Sequence, residues 1–322
     1  MIVTLTLNPS VDRTVEVEAL DRGEVIRALR VRVDPGGKGI NVSRALAAQG
    51  LATCAVITCG GAEGEHLLAL LREAGIDVVP VPIVGSIRSN ITVVEPDGTT
   101  TKFNEPGAPL TEDEQAAVLT AVKTVLAPAN GDRPPATWLV ASGSLPPGAP
   151  VSLYADLIRE VSGSGTRVVV DTSGPALEAV LAAGPTLVKP NREELAAATG
   201  RRLATIDDVV EAANLLRERG AGSVLASLGP DGAVLVDADG AVHGRTPAAV
   251  PVSSVGAGDA MLAGFLAVGG TGAAALTEAL AWGAAAVLQP GSGMPSPDDI
   301  DRSAVRLERR DTKRRDLLAM PP

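Results

Sequence analysis

Residues 138–171 read WLVASGSLPPGAPVSLYADLIREVSGSGTRVVVD and contain one strand–helix–strand unit. The short apolar runs at 138–141 and 168–171 have the length and composition of buried strands. Between them, Leu153–Val161 carries apolar residues at helical spacing. Because parallel strands require a crossover of this kind, the stretch predicts an α/β fold with a mainly parallel sheet.

The same alternation extends beyond this unit. Apolar runs at 186–189 and 224–228 predict two more buried strands, and 118–126 and 209–216 have helical spacing. Paired capping residues precede both of these helices, Thr111 with Glu114 and Thr205 with Asp208. By length alone, 322 residues fit either one large α/β domain or two smaller ones.

Two segments depart from the alternation. Residues 13–34 and 88–105 alternate polar and apolar residues, and the second contains the turn Pro96-Asp97-Gly98. The pattern predicts antiparallel strands that form a small sheet over one edge of the main domain. Two separate surface hairpins fit the same pattern.

Composition excludes several classes of function. The chain has 28 Lys and Arg against 38 Asp and Glu, a net charge of −10, which argues against nucleic-acid binding. Its two cysteines, Cys54 and Cys59, are too few for a disulfide framework and fit a reducing cytoplasm. The charge pattern of 302–315 predicts a solvated terminal helix without a nucleic-acid role.

Two segments bear on membranes and secretion. Residues 260–277 carry no charge, but the pair Gly269-Gly270 interrupts them and predicts two buried helices, not a membrane span. The first twelve residues have no basic region before Asp12, so we expect them to belong to the fold and not to a signal peptide.

Two glycine-rich segments each precede an apolar helical run. In Gly36-Gly37-Lys38-Gly39 the lysine is followed by glycine and not by Ser or Thr, so the segment lacks the Walker A pattern. In SVGAGDAM (254–261), Met261 stands where a dinucleotide fingerprint needs glycine. Helix N-terminal amides together with the Asp259 carboxylate offer an anion site and a base, as phosphoryl transfer to an alcohol requires. An aspartate that only satisfies the helix dipole is the alternative interpretation.

A third polar cluster follows the apolar run at 187–188. Ligands of α/β sheets gather beyond the carboxyl ends of strands, where we expect Lys189, Asn191 and Glu194. A carboxylate such as Glu194 can hold Mg²⁺ directly or through water. Each of these residues alone is more commonly a helix cap or a surface charge.

In this order, the clusters resemble those of the ribokinase-like sugar kinases of the PfkB family, over nearly the whole chain. The segments that carry the resemblance are DPGGKGINVSRALAAQG (34–50), SGSLPPG (142–148), LVKPNREEL (187–195), SLGPDGA (227–233) and SVGAGDAM (254–261). The resemblance implies a three-layer fold with a mainly parallel central sheet flanked by helices and a small antiparallel β lid. It implies a kinase domain over 1–310, with lid strands within 13–34 and 88–105, and a C-terminal tail at 311–322. It also implies ATP and Mg²⁺ as cofactors and a homodimer formed through the lid.

The resemblance assigns a role to each matching residue. Asp259 becomes the catalytic base, with an anion hole formed by Gly256, Ala257 and Gly258. The residues that correspond to sugar contacts are Asp12, Gly37, Lys38, Asn41 and Ser144. Arg88 corresponds to the residue that binds the substrate phosphate, and its guanidinium offers paired donors. The nucleotide contacts fall on Lys189, Asn191, Ser227, Gly229 and Gly232, and Glu194 becomes a water-mediated Mg²⁺ carboxylate.

Two further segments, TLTLNPSVDRT (4–14) and KFNEPG (102–107), resemble the sugar-phosphate branch of the family. The expected reaction is ATP-dependent phosphorylation of D-fructose 1-phosphate at its 6-hydroxyl. Tagatose 6-phosphate and fructose 6-phosphate, bound in the reverse orientation, also fit a site with a base at one end of the sugar and a phosphate-binding residue at the other. A sugar-phosphate sensor without turnover is an alternative from another class, and the presence of both a base and an anion hole favours the enzyme.

Overall fold

The computed structural model describes residues 1–127, 134–247 and 250–310, so the predicted tail at 311–322 lies outside it. The strands are β1 (Ile2–Thr6), β2 (Ser10–Glu16), β3 (Arg30–Gly36), β4 (Thr53–Cys59), β5 (Asp77–Pro82), β6 (Arg88–Val94), β7 (Thr100–Asn104), β8 (Trp138–Ser142), β9 (Arg167–Asp171), β10 (Leu187–Val188), β11 (Ser223–Ser227), β12 (Ala233–Asp237), β13 (Gly240–Arg245) and β14 (Arg306–Arg310). The α-helices are α1 (Lys38–Ala48), α2 (Gly61–Glu73), α3 (Glu112–Leu126), α4 (Leu153–Val161), α5 (Pro175–Leu181), α6 (Arg192–Thr199), α7 (Ile206–Glu218), α8 (Ala257–Ala267) and α9 (Gly272–Ala286).

Ten strands form one large sheet in the order β14-β13-β12-β11-β10-β9-β8-β1-β4-β5. The strands from β11 to β5 are parallel, and β12, β13 and β14 add antiparallel pairs at one edge. The predicted α/β fold with a mainly parallel central sheet is therefore confirmed.

Helices cover both faces of this sheet. Neighbouring residues of β8 enter opposite cores, because successive side chains of a strand point to opposite faces. Trp138 and Val140 pack in the core formed with α1, α8 and α9. Leu139 and Ala141 pack in the core formed with α3, α4, α5 and α7. The result is the three-layer arrangement that the family resemblance implies.

The lid is a second sheet of four strands in the order β3-β2-β6-β7. Its two hairpins are each antiparallel, and a parallel pairing of β2 with β6 joins them into one sheet. This excludes the alternative of two separate surface hairpins. Strand β2 begins at Ser10, earlier than the predicted boundary at residue 13, and Asp12 lies opposite Asn90 in the register.

The uncharged segment 260–277 forms the end of α8, a break at 268–271 and the start of α9, which confirms the predicted helix pair. Among the described residues, no helix has the length and apolar character needed to cross a membrane.

The predicted terminal helix at 302–315 is wrong for its described part. Residues Arg306–Arg310 form β14, which pairs antiparallel with β13. Leu307 packs against the core beneath, and the open edge of β13 supplies backbone partners for the segment. The charge pattern could not indicate this outcome, because a distant strand edge determines it.

Candidate active site

The polar residues singled out in the sequence converge at the carboxyl ends of the parallel strands. One pocket at this edge is lined by Thr6, Asn8, Gly37, Lys38, Arg88, Gly143, Ser144, Thr172, Ser173 and Glu194. Five of these ten residues are among those that the sequence predicted, namely Gly37, Lys38, Arg88, Ser144 and Glu194.

Two helices begin beside this edge at glycines. Gly37, the N-cap of α1, has φ 125°, and a Cβ at this position would lie 2.8 Å from Thr6 Cγ2. Gly256, the N-cap of α8, has φ 79° in the left-handed region. Neither helix has a side-chain cap at its N-terminus. Their first amides therefore remain suited to binding an anion.

The backbone amides of the predicted anion hole differ in their partners. The Ala257 amide is 3.5 Å from the Ser254 carbonyl, and the Asp259 amide donates to the Gly256 carbonyl (3.1 Å). Among the described residues, no backbone hydrogen bond uses the amide of Gly256 or that of Gly258. A Cβ at Gly258 would lie 3.4 Å from Lys189 Nζ. An anion at the Gly258 amide would therefore also meet an ammonium group.

Asp259 lies in the first turn of α8, and only 7% of the residue is exposed. Asn41 Nδ2 on α1 donates to Asp259 Oδ2 at 2.9 Å. Burial, assisted by the negative charge of Asp171, raises the pKa of Asp259 to about 6. A carboxyl group with this pKa is ionised at neutral pH and close to the range in which a general base is most effective.

Asp171 is one of the site residues that the sequence did not lead us to predict. It ends β9, its side chain is 1% exposed, and it pairs with Lys38 Nζ (2.8 Å) and Lys189 Nζ (2.9 Å). Burial acts to raise the pKa of Asp171, but the two lysines together outweigh it and the pKa falls below its ordinary value. The run Val-Val-Val-Asp carried the signal, since a lone carboxylate that ends a buried strand faces the ligand edge of the sheet.

Lys38 and Glu194 lie close together. Lys38 Nζ is 3.7 Å from Glu194 Oε1, and its ion pairs raise the pKa of Lys38 although burial opposes this. Glu194 Oε2 accepts from the Asn191 amide (2.9 Å), and Asn191 Oδ1 accepts from the Glu194 amide (2.7 Å). Both residues thus cap α6, and Glu194 Oε1 is the oxygen that faces Lys38 and the pocket.

The lid contributes Asp12, Asn90 and Arg88. Asn90 Nδ2 donates to Asp12 Oδ1 (2.9 Å), and Arg88 Nη1 lies 3.5 Å from Asn90 Oδ1. Arg88 Nε donates to the Asn8 carbonyl (3.1 Å) and so is tied to the loop after β1. Burial lowers the pKa of Arg88, but an arginine remains charged at neutral pH.

The two segments that resemble the sugar-phosphate branch lie side by side. Asn8 Nδ2, from 4–14, donates to the carbonyl of Pro106, from 102–107 (3.0 Å), and is 3.3 Å from Ser144 Oγ. Asn8 and Asn90 were not predicted as site residues. Each resembles an ordinary polar residue near a strand end, and only the pairing of distant segments reveals its position.

The remaining predicted nucleotide residues lie at the end of β11 and in the turn that follows it. The Ser227 amide donates to the Pro190 carbonyl (3.0 Å), next to Asn191. Gly229 and Gly232 close a tight turn in which the Gly232 amide donates to the Gly229 carbonyl (3.0 Å). These residues and Lys189 thus follow neighbouring strands at the same edge of the sheet.

Comparison with known proteins is consistent with this geometry. The chain is 42% identical over 270 residues to a 1-phosphofructokinase of Xanthomonas campestris pv. campestris, covering 82% of this chain and 83% of the relative. It is 39% identical over 316 residues to the ATP-dependent 6-phosphofructokinase isozyme 2 of Escherichia coli, covering 96% of this chain and 99% of the relative.

Solved structures show the same fold. The crystal structure of phosphofructokinase-2 from Escherichia coli in complex with substrates and products superposes with a TM-score of 0.85 at 38% identity, covering 92% of this chain and 96% of that chain. The family description "pfkB family carbohydrate kinase" matches residues 5–299. With its fold, its glycine-initiated helices and its buried Asp259, the chain belongs to the pfkB family of carbohydrate kinases.

Proposed function

We propose that this kinase transfers the γ-phosphoryl group of ATP to the 6-hydroxyl of D-fructose 1-phosphate, giving fructose 1,6-bisphosphate. The observation that carries the proposal is the buried Asp259 carboxylate at the start of α8. Among the described residues the neighbouring Gly258 amide makes no backbone hydrogen bond, and the charges of Lys189 and Lys38 act on Asp259. A proton acceptor close to positive charge supports the proposal. Phosphoryl transfer to an alcohol needs both.

In the proposed reaction Asp259 accepts the proton of the attacking hydroxyl. The Gly258 amide and Lys189 stabilise the charge of the transferring phosphoryl group, because amides at a helix N-terminus and a fixed ammonium require no reorganisation during the reaction. Lys38, held on Asp171 at 2.8 Å, supports the same group. Lys189, Asn191, Ser227, Gly229 and Gly232 bind the remainder of the nucleotide.

The family implies Mg²⁺, and the donor set fits a weakly held ion of this kind. Glu194 Oε1 faces the pocket, whereas residues 1–127, 134–247 and 250–310 contain no group of three or more His, Cys, Asp and Glu side chains suited to a metal. Mg²⁺ commonly binds one or two carboxylates, waters and substrate phosphates. It would neutralise phosphate charge beside Glu194, directly or through water.

The sugar site follows from the lid contacts. Asp12 and Asn41 offer a carboxylate and an amide to sugar hydroxyls, Ser144 adds a hydroxyl, and Gly37 allows close approach of the sugar. Arg88 binds the phosphate that does not react, since a guanidinium presents paired donors to phosphate oxygens. The choice of fructose 1-phosphate is supported by the relatives named 1-phosphofructokinase and by the joined segments 4–14 and 102–107.

The lid also bears on assembly. Val31, Ile91 and Phe103 are exposed on its strands, with Phe103 55% exposed. Apolar side chains grouped on a sheet face favour pairing with another protein surface. We propose that two copies of the chain form a dimer through this sheet. Neither Cys54 nor Cys59, both within the described residues, forms a disulfide, which suits the proposed cytoplasmic location.

We expect Asp259→Asn to lower kcat by about 10²- to 10⁴-fold while KM for the sugar phosphate changes little, because the base acts on the proton in the transition state. Steady-state kinetics with ATP and the sugar phosphate measure both constants. Asp113→Asn, on the exposed first turn of α3, is the matched control and should keep wild-type kinetics. A kcat near that of the wild type in Asp259→Asn would remove Asp259 from the role of base.

The rate should fall as the pH is lowered through about 6, because Asp259 must be ionised to accept a proton and its pKa is raised to about 6. Below that pH, kcat should drop about tenfold per unit, as for one protonation. The profile is measured on kcat at saturating substrates, because sugar phosphates titrate near the same pH. A kcat that stays constant from pH 7 down to pH 5 would contradict this role of the carboxyl group.

A coupled assay with ATP tests the substrate, using fructose 1-phosphate, fructose 6-phosphate and tagatose 6-phosphate. We expect the highest kcat/KM for fructose 1-phosphate. A higher kcat/KM for one of the 6-phosphates would contradict the proposed substrate but leave the proposed kinase activity in place. Binding of these sugars without turnover of any of them would instead indicate a sensor.

A further inference from the structure

Arg44 lies on α1 one turn after Asn41, so the two side chains share a helix face. Arg44 Nη1 is 3.3 Å from Asn41 Oδ1, and Asn41 Nδ2 is 2.9 Å from Asp259 Oδ2. The same Nη1 donates to Ser292 Oγ at 3.0 Å. A continuous chain of hydrogen bonds therefore links the loop after α9, through Arg44 and Asn41, to the proposed base.

The chemistry of its two neighbours fixes the orientation of the Asn41 amide. A guanidinium only donates hydrogen bonds, and an ionised carboxylate only accepts them. An amide between them satisfies both in one orientation, with its oxygen towards Arg44 and its nitrogen towards Asp259. The flipped amide would oppose donor to donor and acceptor to acceptor. Asn41 is 5% exposed, so water is poorly placed to relieve that mismatch.

The guanidinium is held through one nitrogen, Nη1. Besides its contacts with Asn41 and Ser292, Nη1 lies 3.5 Å from the Pro35 carbonyl, and Ser292 is 3% exposed. Burial lowers the pKa of Arg44, whereas the charges of Asp34 and Asp12 on the neighbouring lid strands act in the opposite direction. An arginine stays charged in this setting, so it remains a donor to Asn41.

We propose that Arg44 is a positioning residue for the phosphoryl-transfer reaction, which keeps the Asn41 amide donating to the carboxylate of Asp259. This inference rests on the proposed function only for the catalytic consequence; the orientation of Asn41 stands on the contacts alone. An N–H directed at the carboxylate favours its ionised form. An amide that flips freely would favour the ionised form less, so the pKa of Asp259 would be higher and the base would stay protonated up to a higher pH.

The other charges that face Asp259 come from three elements. Asp171 ends β9, Lys189 follows β10, and Lys38 begins α1. None of them contacts Arg44 among the described hydrogen bonds and ion pairs. Substitution of Arg44 therefore leaves these charges in place. A change in the pKa of Asp259 then has two possible causes, the orientation of Asn41 or the lost charge of Arg44 itself.

Carbon-13 NMR titration of the Asp259 carboxyl group tests the proposal without turnover, with the resonance assigned by its loss in Asp259→Asn. The variants are Arg44→Met, Asn41→Ala and the double variant. We expect each single variant to raise the pKa of Asp259 from about 6, and the double variant to match Asn41→Ala alone. Arg44→Lys keeps a charged donor, so the pKa of Asp259 should lie between those of the wild type and Arg44→Met. Arg72→Met, an exposed arginine on α2, is the control and should change nothing.

Two results overturn the proposal. One is an unchanged pKa of Asp259 in Arg44→Met when Asn41→Ala raises it. The other is a pKa of Asp259 that rises as much when Arg44→Met is added to Asn41→Ala as when it is made in the wild type. Such additive effects mean that Arg44 acts by its charge and not through Asn41. Should Arg44→Met fail to fold, Arg44→Gln replaces it in the cycle, because its amide fits a polar site but does not dictate the orientation of Asn41.

Kinetics supply the second readout. Arg44→Met should lower kcat about tenfold and move the acid limb of the kcat profile to higher pH, and KM for the sugar phosphate should rise as well because Asn41 is also a proposed sugar contact. A loss confined to KM would contradict positioning of the base. A wild-type enzyme that turns over none of the ketose phosphates would refute the proposed function, whereas the NMR titration would still decide the role of Arg44.

Discussion

The site depends on one ionic interaction, that of the buried Asp171 carboxylate with Lys38 and Lys189. A buried carboxylate requires compensating charge, and removing one partner of such a group is costly. Asp171 ends a central strand, and the two lysines that compensate its charge come from the start of α1 and from the end of β10. The position of Asp171 in the sheet thus determines where these positive charges lie, and α8 places Asp259 near them.

The same interaction influences the pKa of Asp259, the proposed base. Asp171 and Asp259 are like charges in a buried region, and burial together with Asp171 raises the pKa of Asp259, while Lys189, Asn41 and Lys38 lower it. These opposing influences leave the pKa near 6, so the carboxyl group is ionised at neutral pH yet basic enough to accept a proton. In the proposed reaction the lysines therefore act both on the phosphoryl group and on the ionisation of Asp259.

Periodicity and local chemistry were sufficient to predict the α/β fold, the helix pair at 260–277 and the glycine-initiated helices, because each is determined by neighbouring residues. Long-range pairing was not predictable. The contact of Asn41 with Asp259 joins residues 218 apart, and the parallel pairing of β2 with β6 merges two hairpins that look independent in the sequence. Strand β14 depends in the same way on the distant edge of β13. Asp171 differs, since the run at 168–171 carried a usable signal that was interpreted only as a strand end.

In the proposed reaction the reacting hydroxyl lies between Asp259 and a phosphoryl group held by Lys38 and Lys189. A crystal structure with fructose 1-phosphate and a non-hydrolysable ATP analogue would show this arrangement. We expect the 6-hydroxyl about 2.6–3.2 Å from an Asp259 carboxylate oxygen, with both ammonium groups on phosphate oxygens. A 6-hydroxyl oriented away from Asp259, or a γ-phosphate that neither lysine contacts, would contradict it.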